Sequence, residues 1–187
     1  MLYLEKDLFL ENLEKRASPY QVAQTLYCRW ENEKSNLQYF LRAGIECWYW
    51  LDNDIFWNNY LKQDELKDFE EILTTYLCKV CVYGFENQSE NPVFLCMFGY
   101  MIRLFPYFFI NLTGDYDKDL ETGNKMISKA YRLNPDPLTT LLITKEGTPE
   151  WEERYAIMKN AFSNLFHGEA IMDQYFRSVW GGIFEII

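Results

Sequence analysis

Histidine is almost missing from this sequence. Its single occurrence among 187 residues is His167, and that scarcity removes whole classes of metal chemistry. Di-iron bundles draw on two Glu-x-x-His pairs, and zincins set two histidines one helical turn apart. Neither can be assembled from one imidazole. His167 stands just before Gly168, so a solvent-facing or helix-ending role is expected for it. Basic residues are scarce as well. Eighteen Lys and Arg face 28 Asp and Glu, for a formal charge of −10. That balance argues against nucleic acid, which requires a basic footprint, and against anionic membrane surfaces. Phosphate-binding fingerprints are missing too, with no Walker loop and no dinucleotide motif.

An export signal is not visible, because residues 1–7 lack a basic region followed by an apolar run. With that, the odd count of five cysteines suggests free, mostly buried thiols in a cytoplasmic protein. One apolar stretch, 93–112, is long enough to cross a bilayer. Arg103 at its centre and Pro106 after it argue against a span, since a central arginine costs about 2.5–3.5 kcal/mol on insertion scales. The stretch reads instead as the central buried helix of a folded domain.

What the chain does have is apolar mass. Hydrophobic residues make up 49% and aromatics 18%, enough to offset the entropy of ordering without disulfide or metal. Helix starts are legible at four capping residues followed by proline: Ser18-Pro19, Asn91-Pro92, Asp136-Pro137 and Thr148-Pro149. The first accepts hydrogen bonds from exposed amides. The proline has its φ set and needs no N–H at the first helical position. Gln21 stands at the capping-box spacing from Ser18.

Apolar residues then recur every three and four positions. Leu66, Phe69, Leu73, Tyr76, Val80 and Tyr83 form one stripe. Leu37, Leu41, Ile45, Trp48 and Leu51 form another, Val22, Leu26 and Trp30 a shorter one, and Trp151, Tyr155, Met158, Phe162 and Leu165 a fourth. Sustained period-two alternation is not seen. The sequence therefore predicts one all-α domain over 1–187, with helices at 3–16, 19–33, 35–51, 63–84, 92–110, 117–133, 137–144, 149–165 and 169–183. A short helical turn is expected at 53–61, and 84–90, Gly114 and Gly147 read as loop punctuation. Short helices on short connections suggest layered helical hairpins or an irregular bundle, with a solenoid-like stack as a variant.

Other partial motifs dissolve on inspection. Cys78-x-x-Cys81 lacks the two further ligands of a structural zinc site, and it falls inside the cleanest helical stripe. Asp115, Asp117 and Asp119 alternate as in a calcium loop, but Leu120 and Met126 occupy the positions where glycine and glutamate are required. Those acids suit the start of the next helix. No metal or cofactor is expected.

A local pattern remains. Asp52, Asp54, Asp64, Glu65, Asp68, Glu70 and Glu71 fall within twenty residues, with Trp48, Tyr49, Trp50, Phe56, Trp57 and Tyr60 adjacent. Asp64, Asp68 and Glu71 share one helix face. Two readings stand: a solvated face whose aromatics belong to the core, or a surface for a basic partner. In the second, aromatics anchor the interface and acids raise the association rate. The candidate partner-binding set is Asp52, Asp54, Trp57, Asp64, Glu65, Asp68 and Glu71.

In size, charge, aromatic richness and helical build, the chain resembles all-helical bacterial toxin-immunity proteins of the contact-dependent growth-inhibition type. That resemblance implies a complex with one cognate toxin, a basic nuclease domain, neutralised by an acidic surface. Gly114, Asp115 and Tyr116, followed by Ile127, Ala130 and Pro135, also resemble the second half of a tetratricopeptide repeat across 114–135. The spacing from Gly114 to Ala130 is longer than that family allows, and no second copy recurs at its period of about 34 residues, so the likeness is to helical-hairpin proteins generally. The alternative reading is a helical-repeat adaptor that binds peptides or other proteins in a concave groove. An enzyme would instead require a deep pocket holding ionisable groups of perturbed pKa. Oligomeric state is left open by the sequence.

Overall fold

A computed structural model describes residues 3–52, 63–109, 114–161 and 165–181, apart from the side chains at 63–67 and 180–181. Nine α-helices are present among the described residues: α1 (Leu8–Glu14), α2 (Pro19–Asn32), α3 (Leu37–Asp52), α4 (Gln63–Asn87), α5 (Pro92–Leu104), α6 (Tyr116–Leu133), α7 (Pro137–Ile143), α8 (Pro149–Ala161) and α9 (Ile171–Gly181). A short 3-10 turn covers Pro106–Phe109. The fold is all-α, and the only β pairing among these residues is an isolated parallel bridge between Leu4 and Phe166.

All four proline-marked starts begin helices. Ser18 and Gln21 form a reciprocal capping box, and Asp136 and Thr139 form a second. Asn91 accepts from the amides of Val93 and Phe94, and Thr148 Oγ1 accepts from the Trp151 amide at 3.2 Å. Asp115 caps α6 through the amides of Asp117 and Lys118, while Asp119 turns inward and is buried.

Helices adjacent in sequence pack on one another: α2 on α3, α3 on α4, α5 on α6, α6 on α7, and α7 on α8. The end of the chain then returns, with α9 resting on α3. The amide of Tyr3 donates to the Leu165 carbonyl at 2.8 Å. This return closes the array into an irregular bundle. The core is centred on Phe40, whose ring meets those of Trp30, Tyr83, Phe94 and Phe98. The apolar helix α5 runs through it, with Val93 to Ile102 all buried. The expected helix over 92–110 stops at Leu104, before the Pro106–Phe109 turn, because proline at 106 cannot continue it. No described helix is long and apolar enough to cross a membrane.

Two further sequence expectations are corrected. Residues 3–7 are not helical. Tyr3 and Leu4 are fully buried and tied to 165–166, so their apolar side chains serve a tertiary contact rather than a helix face. Gly84 is not loop punctuation. The helix α4 continues through it to Asn87, and the missing side chain leaves room for the rings of Phe94 and Phe40. The cysteines form no disulfide among the described residues and are mostly buried, as the sequence predicts: Cys47, Cys81 and Cys96 are buried, Cys78 is half-buried and Cys28 is exposed. Gly114 and Gly147 do occupy turns, both in the left-handed region at φ 72° and 74°, where glycine carries no steric penalty.

Helices α5 and α6 cross at unusually short range. A methyl group at Gly123 would sit 2.7 Å from the Arg103 amide nitrogen and 2.8 Å from the Gly99 carbonyl oxygen. Backbone faces backbone there, and the Lys129–Glu90 ion pair marks the other end of the same antiparallel pair. This crossing fixes the position of Arg103 at the end of α5.

Candidate functional site

The predicted acidic set divides three ways. Asp54 and Trp57 lie outside the described residues. Asp64 and Glu65 belong to the first turn of α4, and their side chains are likewise outside what the structure describes. Asp52 ends α3 and is half-buried. Asp68 and Glu71 are exposed on α4, while Phe69, Leu73, Leu77 and Val80 of the same helix are buried. The outer face of α4 therefore carries acids, as the spacing predicts. Neither Asp68 nor Glu71 forms an ion pair among the described residues.

The two acids line a shallow depression of about 340 Å³ with Ile72, Thr75 and Tyr76. Tyr76 is stacked on Tyr27 with ring centroids 3.8 Å apart and planes 6° from parallel. This tyrosine pair is a pre-ordered aromatic platform beside the acids. By contrast, Trp48 is fully buried and Trp50 nearly so, which places those two aromatics in the core.

A second constellation corresponds to no motif in the sequence. Arg42 and Asp173 form a buried two-point ion pair, Nη1 to Oδ2 at 2.7 Å and Nη2 to Oδ1 at 3.2 Å. Glu46, one turn along α3 from Arg42, is also buried and accepts from Trp50 Nε1 at 2.6 Å. From α1, Glu11 accepts from the Glu169 amide and Glu14 from the Ile171 amide, each at 2.9 Å. The start of α9 thus takes its caps from another helix, where negative charge suits the dipole. Burial pushes the Glu46 carboxyl up to about 8, reinforced by the nearby Glu14 charge and opposed by the Trp50 hydrogen bond. Burial likewise pushes Glu14 up to about 7. Burial raises Asp173 too, against the pull of Arg42. The sequence signal was present, since Arg42 and Glu46 interrupt an otherwise apolar helix, but nothing local named their partners.

A third feature is a groove between the α5–α6 pair and α7–α8, with a cavity of about 680 Å³. Arg103 reaches its edge and donates from Nη1 to the Leu142 carbonyl at 2.8 Å. Partial burial lowers the pKa of this guanidinium from its ordinary value. Trp151 and Tyr155 of α8, stacked at 5.0 Å and 8°, form one wall. The sequence places these rings in a core stripe; they pack against the core and are half-exposed on the groove. Among the described residues, no group of three or more His, Cys, Asp or Glu side chains is arranged to hold a metal ion.

The segment similar to a tetratricopeptide repeat has a different construction here. Tyr116 opens α6 and is exposed, while Ile127 and Ala130 pack inward from the same continuous helix. No protein-family model matches this sequence, and no curated protein or solved structure matches it either.

Proposed function

We propose that this chain is a non-catalytic binding protein of the toxin-immunity kind, which neutralises a basic toxin, a nuclease domain, through the acidic outer face of α4. The observation that carries this reading is the exposure of Asp68 and Glu71 beside the stacked Tyr76–Tyr27 pair, on a helix whose opposite face is spent in the core. Carboxylates at that position contribute nothing to packing, and they form no ion pair among the described residues. A partner presenting a cationic nucleic-acid groove would meet complementary charge, and the formal charge of −10 would speed its approach. Tyr76 supplies the aromatic contact around which interface energy concentrates.

The test is co-purification from the native host with the partner identified by mass, followed by affinity measurement against that partner. Replacing Asp64, Asp68 and Glu71 together with lysine is expected to weaken binding strongly while the circular dichroism and melting of the free protein persist. Unchanged affinity in that folded variant removes this face as the binding surface.

A further inference from the structure

The groove bounded by α5, α6, α7 and α8 is separate from the acidic face of α4 and shares no lining residue with the depression there. Its chemistry is specific. Arg103 places a guanidinium at its edge, held by a hydrogen bond to the Leu142 carbonyl. It makes no ion pair among the described residues. A fixed, half-buried arginine of this kind is a ready fork for a planar oxyanion. The aromatic wall of Trp151 and Tyr155 offers a flat apolar face. Leu104 and Ile143, 42% and 41% exposed, line the groove as well. A volume of about 680 Å³ suits a small organic molecule.

The charge balance narrows the ligand. Arg103, Lys145 and Glu146 are the charged side chains lining the groove among the described residues. One net positive charge remains, which matches a monoanion better than a phosphate dianion. We propose that this groove binds a small organic carboxylate with a planar apolar body, its carboxylate on Arg103 and its ring along Trp151 and Tyr155. This site is independent of the acidic face of α4, and its failure would leave that reading untouched.

The test uses the full chain and a panel of phenylacetate, indole-3-acetate and 2-naphthoate. Each is compared with its primary amide, and phenyl phosphate serves as the dianion. Binding is followed by amide chemical shifts at Ser128 and Thr144 and by titration calorimetry. The carboxylates are expected to shift both amides and to bind about tenfold or more tighter than their amides, as charge-assisted hydrogen bonds imply. Arg103→Gln should abolish that preference, Arg103→Lys should keep part of it, and Trp151→Ala should weaken acid and amide alike. The proposal is overturned if no carboxylate perturbs the groove at millimolar concentration. Equal binding of the amides, or a preference that survives Arg103→Gln, overturns it too. So does tighter binding of the phosphate, or a groove filled by a second copy of the chain, seen as self-association by sedimentation. Should Arg103→Gln fail to fold, the acid-over-amide ratio in the unmodified chain decides the matter.

Discussion

Arg42 on α3 and Asp173 on α9 stand 131 positions apart in sequence and meet at 2.7 Å, with side chains 2% and 0% exposed. Two charges out of water are costly to hold, and their attraction offsets that cost only in good geometry with the remaining polar atoms satisfied. The second guanidinium nitrogen also donates to the Glu5 carbonyl at 2.7 Å, so the pair binds the N-terminal segment, α3 and α9 together. Removing one partner leaves the other buried and uncompensated. Asp173→Asn is therefore expected to cost about 3–5 kcal/mol. The double change of Arg42→Met with Asp173→Leu should cost much less than that. Urea unfolding of the three proteins checks this, and a double variant no better than the single would show that the pair contributes net stability.

Around that pair lies an excess of acid, and it gives stability a direction in pH. The Glu46 carboxyl is pushed up to about 8 by burial and by Glu14, from an ordinary value of 4.5. Between those limits the folded chain holds a proton that the unfolded chain has released. Stability then falls as pH rises: the contribution is full below about pH 4.5 and gone above about pH 8. Glu14, raised to about 7, adds the same sign over a narrower window. Glu46→Gln keeps an acceptor for Trp50 and cannot ionise. It should match the unmodified protein in stability near about pH 5 and exceed it clearly near about pH 9, since a tenfold change in proton affinity is worth about 1.4 kcal/mol. Parallel stability curves for the two proteins across that range would refute the assignment.

Glu46 interrupts an apolar helix that is plain in the sequence, while its partners are not. Helix starts were legible because capping is local: Ser18, Asn91, Asp136 and Thr148 act on amides two or three residues away. Core stripes were legible because helical spacing puts Leu41, Ile45 and Trp48 on one face, and all three are fully buried. Partnerships across the chain were not legible. Nothing near Glu11 and Glu14 in the sequence marks a partner, yet they cap α9, 158 and 157 positions later. Arg103 was seen only as a charge interrupting an apolar run, and Trp151 and Tyr155 only as a core stripe. Their convergence on one groove depends on the α5–α6 crossing, which rests on Gly99 and Gly123, and those glycines have no periodic signature.

That crossing yields a prediction that runs against helix propensity. Alanine is a better helix former than glycine by roughly 1 kcal/mol, so Gly123→Ala would stabilise an isolated α6. In the folded chain the added methyl meets the Arg103 amide nitrogen at 2.7 Å and the Gly99 carbonyl at 2.8 Å. Both are main-chain atoms that cannot rotate away. The helices must separate, and overpacking of this kind costs about 1–3 kcal/mol. Thermal melting of Gly123→Ala should show a net loss; an unchanged or raised midpoint would mean that the pair relaxes freely.

The stripe along α4 makes the complementary prediction. Leu73 is 1% exposed and belongs to the face opposite Asp68 and Glu71. Leu73→Ala should destabilise the fold by about 2–5 kcal/mol through lost burial and a residual cavity. It should leave the charge of the outer face unaltered. A loss below about 1 kcal/mol would show that the site collapses or that α4 packs loosely.

Electrostatic binding through the outer face of α4 has its own signature in kinetics. Asp68 and Glu71 are exposed, so under the proposed function they would attract a basic partner over the distance that salt permits, about 8 Å at physiological ionic strength. Charge at the rim of an interface acts mainly on the association rate. Once the partner is in hand, its association rate should fall steeply as salt is raised. Asp68→Asn with Glu71→Gln should reduce both the rate at low salt and its dependence on salt. Tyr76→Ala should act differently, raising the dissociation rate with little change in salt dependence, because an aromatic contact is made only after docking. An association rate indifferent to salt would exclude steering by these carboxylates, and dissociation unaffected by Tyr76→Ala would exclude the tyrosine as an anchor. The two measurements separate the charged and apolar halves of the proposed surface.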